Sequence, residues 1–240
     1  MWSICKKELN QFFSNLTGYI AIILFLLING IFLFMLRDSS IFEFGYASLD
    51  KFFELAPWVL MFLVPAVAMR SLADEFRSGT FEILKTRPLT YWNIVVGKYF
   101  SILLVMLFVI LPTFIYIITI KTLSSSGSID TGGIAGSYLG LFLLAAVFAA
   151  ISLCCSSFTS NAVVSFLVSA FPCLILYFGF SALSQLPVLQ GGADFYIEML
   201  GIDFHYRSIS RGVLDSRDLV YFLSIIFLSL LITTKNLQKK

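Results

Sequence analysis

The feature that most limits what this chain can fold into is a set of six apolar stretches, at 17–36, 55–73, 91–120, 136–155, 162–183 and 219–234. Each is near the length, about 20 residues, that a helix needs to cross roughly 30 Å of hydrocarbon. In that layer no water is present to satisfy backbone N–H and C=O groups, so only helices and closed barrels can span it. None of the stretches alternates apolar with polar residues, which argues against a barrel. Composition agrees: 59% of residues are hydrophobic and 12% charged, where a soluble domain averages about 25% charged. The expected fold is all-α, a polytopic membrane protein with six transmembrane helices in one domain over residues 1–240, with no internal repeat and no second soluble domain.

Residues 1–16 precede the first stretch and are amphipathic. Trp2, Cys5, Leu9, Phe12, Phe13 and Leu16 share one side, and Lys6, Lys7, Glu8 and Gln11 fill the other. Such a helix lies in the headgroup plane. The run after it is too long for a signal-peptide core and no A-x-A site follows, so it reads as an uncleaved first span. Pro65 should bend the second span and Pro112 should kink the third, because proline removes one intrahelical hydrogen bond. Gly132, Gly136 and Gly140 recur every four residues before the alanines of 145–150. They form a face that another helix can approach closely, within the chain or in a second copy. The segment 184–218 is a moderately polar link whose pieces, such as 194–200, suit short helices dipping into the outer leaflet. It holds the only histidine, His205, beside Asp203, Arg207, Arg211, Asp215, Arg217 and Asp218, a pattern read as local ion pairing. The four cysteines lack metal-ligand spacing.

Six spans put both termini on one side. Ten of the sixteen Lys and Arg residues fall on that side and six on the other, so both termini and the segment 69–92 are expected in the cytoplasm. That segment has a shape. Leu72, Phe76 and Ile83 lie near one helical face, with Arg70, Asp74, Glu75 and Arg77 around the others. Gly79 suits a left-handed C-terminal position and Thr80 an N-cap. Glu82 follows in the first turn of the next helix, and Pro88 ends it. The reading is a cytoplasmic hook of two short helices between the second and third spans.

Chemistry is otherwise sparse. No span carries an ionisable residue near its middle; Lys98 and Lys121 sit near the ends of the third. Ion-coupled carriers usually need such groups along their path. No H-E-x-x-H, G-x-S-x-G or G-x-x-x-x-G-K-[ST] pattern is present. A membrane body with no evident energy source and one shaped hook suits a subunit driven by a cytoplasmic partner. A passive membrane scaffold that anchors a cytoplasmic complex shares the hook and stays open as the alternative.

The stretch MRSLADEFRSGTFEILKTRPLTYWNIVVGKYF, residues 69–100, resembles the signature of ABC type-2 transporter permeases. The matching positions are Arg70, Glu75, Gly79, Thr80, Leu84 and Pro88, with Lys98 entering the third span. The segments at 52–71 and 206–224 are similar to the gliding-motility-associated permeases of Bacteroidetes. The resemblance implies a permease of the bacterial inner membrane with a separate cytoplasmic ABC ATPase subunit that binds ATP and Mg. This chain itself would hold no cofactor, no metal and no catalytic residue, and would bind no nucleic acid. The resemblance also implies a homodimer or pairing with a related permease, and allows an auxiliary membrane subunit. Carried over by position, Glu75, Gly79, Thr80 and Pro88 would shape the ATPase-facing turn, and Arg77, Glu82 and Leu84 would be contacts.

Overall fold

A computed structural model describes residues 1–35, 49–85, 90–123, 130–187, 192–212 and 215–239. The described residues are almost entirely helical, with no strand among them. Helix α1 (Trp2–Ser14) leads into α2 (Leu16–Phe34), and the two are bent by 70° across Asn15. Helix α3 (Asp50–Ala68) runs on through Met69 into α4 (Arg70–Ser78), and α5 (Thr80–Lys85) follows Gly79. Next come α6 (Tyr91–Ile110), α7 (Phe114–Leu123), α8 (Thr131–Ser156), α9 (Ala162–Leu174), α10 (Phe180–Ser184), α11 (Ala193–Glu198), α12 (Ile202–Ser210) and α13 (Ser216–Lys239). Among the described residues five helical runs are long and apolar enough to cross a membrane, and α1 with α2 makes a sixth if the bent pair counts as one span. This is a multi-pass membrane protein.

Helix α8 is the centre. It packs against α3, α6, α9, α12 and α13, and 83% of its apolar window is buried. Small residues make that possible, since close approach is what holds helices together in lipid. A Cβ added at Gly136 would stand 2.9 Å from the carbonyl oxygen of Ile209 and from the Cα of Gly212. One at Gly140 would meet Ile209 at 3.1 Å. Gly136 and Gly140 thus lie against α12 of the same chain, whereas Gly132 is exposed. At the periphery α2 and α9 carry outward apolar rows, including Ile20, Ile23, Leu27, Val163, Leu167 and Phe171.

The prolines act in three different ways. The second span starts at Asp50, earlier than the apolar run predicts, and carries Pro57 inside it. Pro57 has no N–H for the carbonyl of Phe53, one turn back. The hydroxyl of Tyr206, from α12, donates to that carbonyl at 2.8 Å in a buried setting and so supplies the missing partner. At Pro112 the helix tightens into a 3₁₀ turn, Leu111–Thr113, rather than breaking. The Thr113 carbonyl there accepts from Tyr138 at 3.1 Å. Beyond Pro172, α9 widens into a π turn, Ile175–Gly179. The short helices expected within 184–218 are α10's end, α11 and α12.

Candidate functional site

The helix–break–helix lies at the end of α3, and its turn is made by Gly79. Gly79 has φ 71° and ψ 4°, a left-handed conformation that costs a residue with a Cβ roughly 1–2 kcal/mol. Phe76 and Phe81 meet edge to face across it with ring centroids 5.0 Å apart, and Phe81 is buried. Thr80 is the first residue of α5 rather than its N-cap. Its hydroxyl pairs with that of Ser78 at 2.9 Å, and the tight turn is closed by the Glu82 N–H donating to the Gly79 carbonyl at 3.3 Å. Arg77, Ser78, Thr80 and Glu82 are exposed. Arg77 makes no ion pair among the described residues, although Asp74 and Glu75 are near in sequence. The side chain of Leu84 and all of Pro88 lie outside the described residues.

Glu75 does not join that exposed face. It is 9% exposed and turned inward, where it meets Lys98 of α6. The Lys98 side chain is fully buried, and its ammonium has three donors. It donates to Glu8 Oε1 of α1 at 3.0 Å and to the carbonyl oxygen of Ser71 at 2.6 Å, and it forms an ion pair with Glu75 Oε1 at 2.9 Å. Lys7 adds a second, exposed cation, 3.6 Å from Glu75 and 3.9 Å from Glu8. Burying a single ammonium is costly unless it is paired and hydrogen-bonded. Here one carboxylate and one carbonyl take its hydrogen bonds and a second carboxylate adds its charge, so the cluster ties together the elements that carry them. Helix α1 reaches the cluster because Gly97 lets it sit close to α6: a Cβ at Gly97 would stand 3.0 Å from the Met1 carbonyl oxygen. Beside the cluster is a cavity of about 320 Å³ between α1, the α3–α4 joint and α6.

A second tie comes from α8. The Ser156 hydroxyl accepts from the N–H groups of Leu72 and Ala73, both at 3.2 Å, and donates to the Met69 carbonyl at 3.2 Å. The first N–H groups of a helix have no partner within it. α4 has no side-chain cap of its own, and Ser156 serves that purpose from another helix. The turn at Gly79 is therefore carried on a short helix fastened to α1 and α6 by charge and to α8 by a cap.

At the opposite end of α3, two of the local pairs expected around His205 are present among the described residues. Asp203 holds Arg207, whose hydrogen bond raises the guanidinium pKa further. His205 Nδ1 stands 2.6 Å from Asp218 and Nε2 stands 2.9 Å from the Met199 carbonyl, linking α12 to α13. No group of three or more His, Cys, Asp or Glu residues able to hold a metal occurs among the described residues.

Sequence reasoning placed Lys98 near a span end but missed the cluster. Its partner in α1 is 90 residues away in sequence, and no periodicity links the two. The available signal was the presence of a lysine in an apolar run at all, since a charge there needs a partner.

Residues 2–211 match the sequence model of the ABC-2 family transporter proteins. A search of curated proteins finds no match.

Proposed function

We propose, taking as premise that this chain belongs to the ABC-2 family of transporter proteins, that its α4–α5 turn is the coupling hook on which a separate cytoplasmic ABC ATPase acts. In this reading the chain is the permease subunit of an ATP-driven exporter, or of a gliding-motility-associated complex of the same family, in the bacterial inner membrane. ATP and Mg are bound by the partner. The termini and the turn are cytoplasmic, in line with the excess of Lys and Arg on that side. Helix α1, set at 70° to α2, is the interfacial elbow. The apolar rows of α2 and α9 suit pairing with a second copy or a related permease, and leave room for an auxiliary membrane subunit.

The observation that carries this reading is the fastening of α4. A loop that only tethers a partner needs no buried ammonium and no cap supplied from another helix. A lever does, because motion at Gly79 must reach the spans without being absorbed at the joint. Displacement of α4 moves Glu75, and with it Lys98 of α6 and Glu8 of α1, while Ser156 passes the same motion to α8.

The exposed side chains of the turn separate docking from internal fastening. Arg77→Glu combined with Glu82→Arg reverses the charges presented to a partner and leaves Glu75, Lys98 and Ser156 in place. Expressed with its ATPase, the double variant is expected to insert normally and to lose most ATPase co-purification and at least ten-fold of the stimulated turnover. Undiminished co-purification together with undiminished stimulation would sink the hook reading. Retained co-purification with no ATP-dependent change in cross-linking between the turn and α2 would favour the passive scaffold.

A further inference from the structure

We infer that the end of the bundle away from the α4–α5 turn carries a binding site for an amphiphile with an amine-bearing headgroup, its head in a charged cavity and its chain in an adjoining apolar groove. The site is read from this chain alone and does not depend on an ATPase partner.

The cavity has a volume of about 940 Å³, within the range of small-molecule sites. Its walls come from the first turns of α3, the start of α8, the π turn and α12. Asp50 opens the membrane-length run Asp50–Ser78, so the cavity sits where a span leaves the hydrocarbon, at headgroup depth. Four carboxylates line it, on Asp50, Glu54, Asp130 and Asp203, against two guanidinium groups, on Arg207 and Arg211. Three of those carboxylates are engaged. Asp203 holds Arg207, and Asp130 accepts from the Gly133 N–H at the start of α8 at 3.0 Å. Glu54 pairs with Lys51 at 2.9 Å on the surface, and Asp50 alone has no ion pair among the described residues. The balance left in the cavity is negative, with Arg211 as the cation available to a phosphate. Trp58 and Phe178 form an aromatic wall with ring centroids 4.0 Å apart. Aromatic faces beside carboxylates are the usual setting for an ammonium group.

On the other side of the same ridge of α3 is a groove of about 280 Å³ between α2 and α3. Glu54 and Trp58 line both spaces; four residues apart, they share one helical face. Beyond them the groove is apolar, walled by Phe32, Leu33, Phe52 and Leu55. Besides Glu54, two polar side chains line it, the exposed Lys51 that pairs with Glu54 and the buried Asn29. Asn29, 1% exposed, donates its Nδ2 to the Phe25 carbonyl at 2.8 Å, while its Oδ1 is buried with no partner. Buried acceptors in folded proteins are nearly always filled, so Asn29 marks a place for a donor arriving with a ligand. The hydroxyl at the head–chain junction of a lysophospholipid supplies one. A free amine would leave the groove and Asn29 unused; a plain hydrocarbon would leave the carboxylates unused.

Native mass spectrometry of the purified full chain tests this, with lysophosphatidylethanolamine, lysophosphatidylglycerol of the same chain length, and phosphoethanolamine as probes. The expected result is a one-to-one adduct with lysophosphatidylethanolamine at least ten-fold tighter than with either of the others. Asp50→Asn with Glu54→Gln is expected to erase the preference for the amine, and Asn29→Leu to weaken both lysolipids several-fold. Equal retention of the two lysolipids by the native chain overturns the inference. So does a preference that survives in the Asp50/Glu54 variant with native thermal stability. If that variant does not fold, Trp58→Leu takes its place, and an unchanged preference there has the same force.

Discussion

Lys98→Met tests the internal fastening most directly. Methionine matches the length and volume of the lysine stem and removes the charge, so the change isolates the ammonium from packing. In the native chain Glu8 and Glu75 both bind Lys98, and their side chains are only 16% and 11% exposed. Without the ammonium, two poorly solvated carboxylates face each other with the exposed Lys7 as their sole cation, and the Ser71 carbonyl loses its donor. Removing one partner of a buried pair costs about 3–5 kcal/mol. The relief available is for α1 to swing away, since it carries Glu8 and lies at the edge. Cys5 reports that motion: it sits on α1, is 1% exposed, and its thiol pKa is raised by burial and then by the nearby Glu8 charge. Both effects slow alkylation in the docked state. If labelling proceeds through local opening, a loss of about 3–5 kcal/mol raises the rate by roughly a hundred- to several-thousand-fold, up to the limit of a free thiol. Maleimide labelling of the intact chain, followed by peptide-level mass spectrometry, resolves Cys5 from the other three cysteines. Glu8→Gln on top of Lys98→Met should recover a large part of the protection, because it removes the repulsion. A labelling rate within three-fold of the native chain would show that the cluster does not hold α1, and the lever argument would lose its mechanical basis.

Two further outcomes follow from local geometry. Gly79→Ala meets no atom within 4 Å, so its cost is conformational alone, about 1–2 kcal/mol from the left-handed backbone; hydrogen exchange should rise in α5 and stay unchanged in α8, and Gly79→Asn should be milder. Tyr206→Phe strands the Phe53 carbonyl at a cost of about 1–3 kcal/mol, seen as a lower melting temperature in detergent, and Pro57→Ala should recover most of it by restoring an N–H to that same carbonyl.

What was legible in the sequence was whatever depends on neighbours in the chain. Run length defined the spans, and Gly79 between two short amphipathic pieces defined the turn, because a left-handed position followed by a new helix is a local pattern. The expected pairing around His205 was also local, spanning 13 residues to Asp218. Contacts between distant segments were not legible. The carbonyl that Pro57 leaves without a donor is served by a tyrosine hydroxyl 153 residues away, and sequence placed the span start after the charges instead. Glu75 read as a surface group because it falls off the helical face set by Leu72, Phe76 and Ile83. Its burial follows from Lys98 and from Glu8, neither of which shares its helix. Thr80 has the chemistry of a cap, but the neighbouring Ser78 hydroxyl takes its side chain.

The hydroxyl of Ser156 has a consequence for wear and repair of the joint between α3 and α4. One oxygen there latches three backbone groups, the Met69 carbonyl and the N–H groups of Leu72 and Ala73, and the residue bearing it ends the most enclosed of the membrane-length helices among the described residues. The α3–α4 joint is therefore held against unwinding and axial sliding for as long as those three bonds stand. Strain entering at that corner passes to the central column, while the edge helix and the turn beyond Gly79 stay able to open on their own.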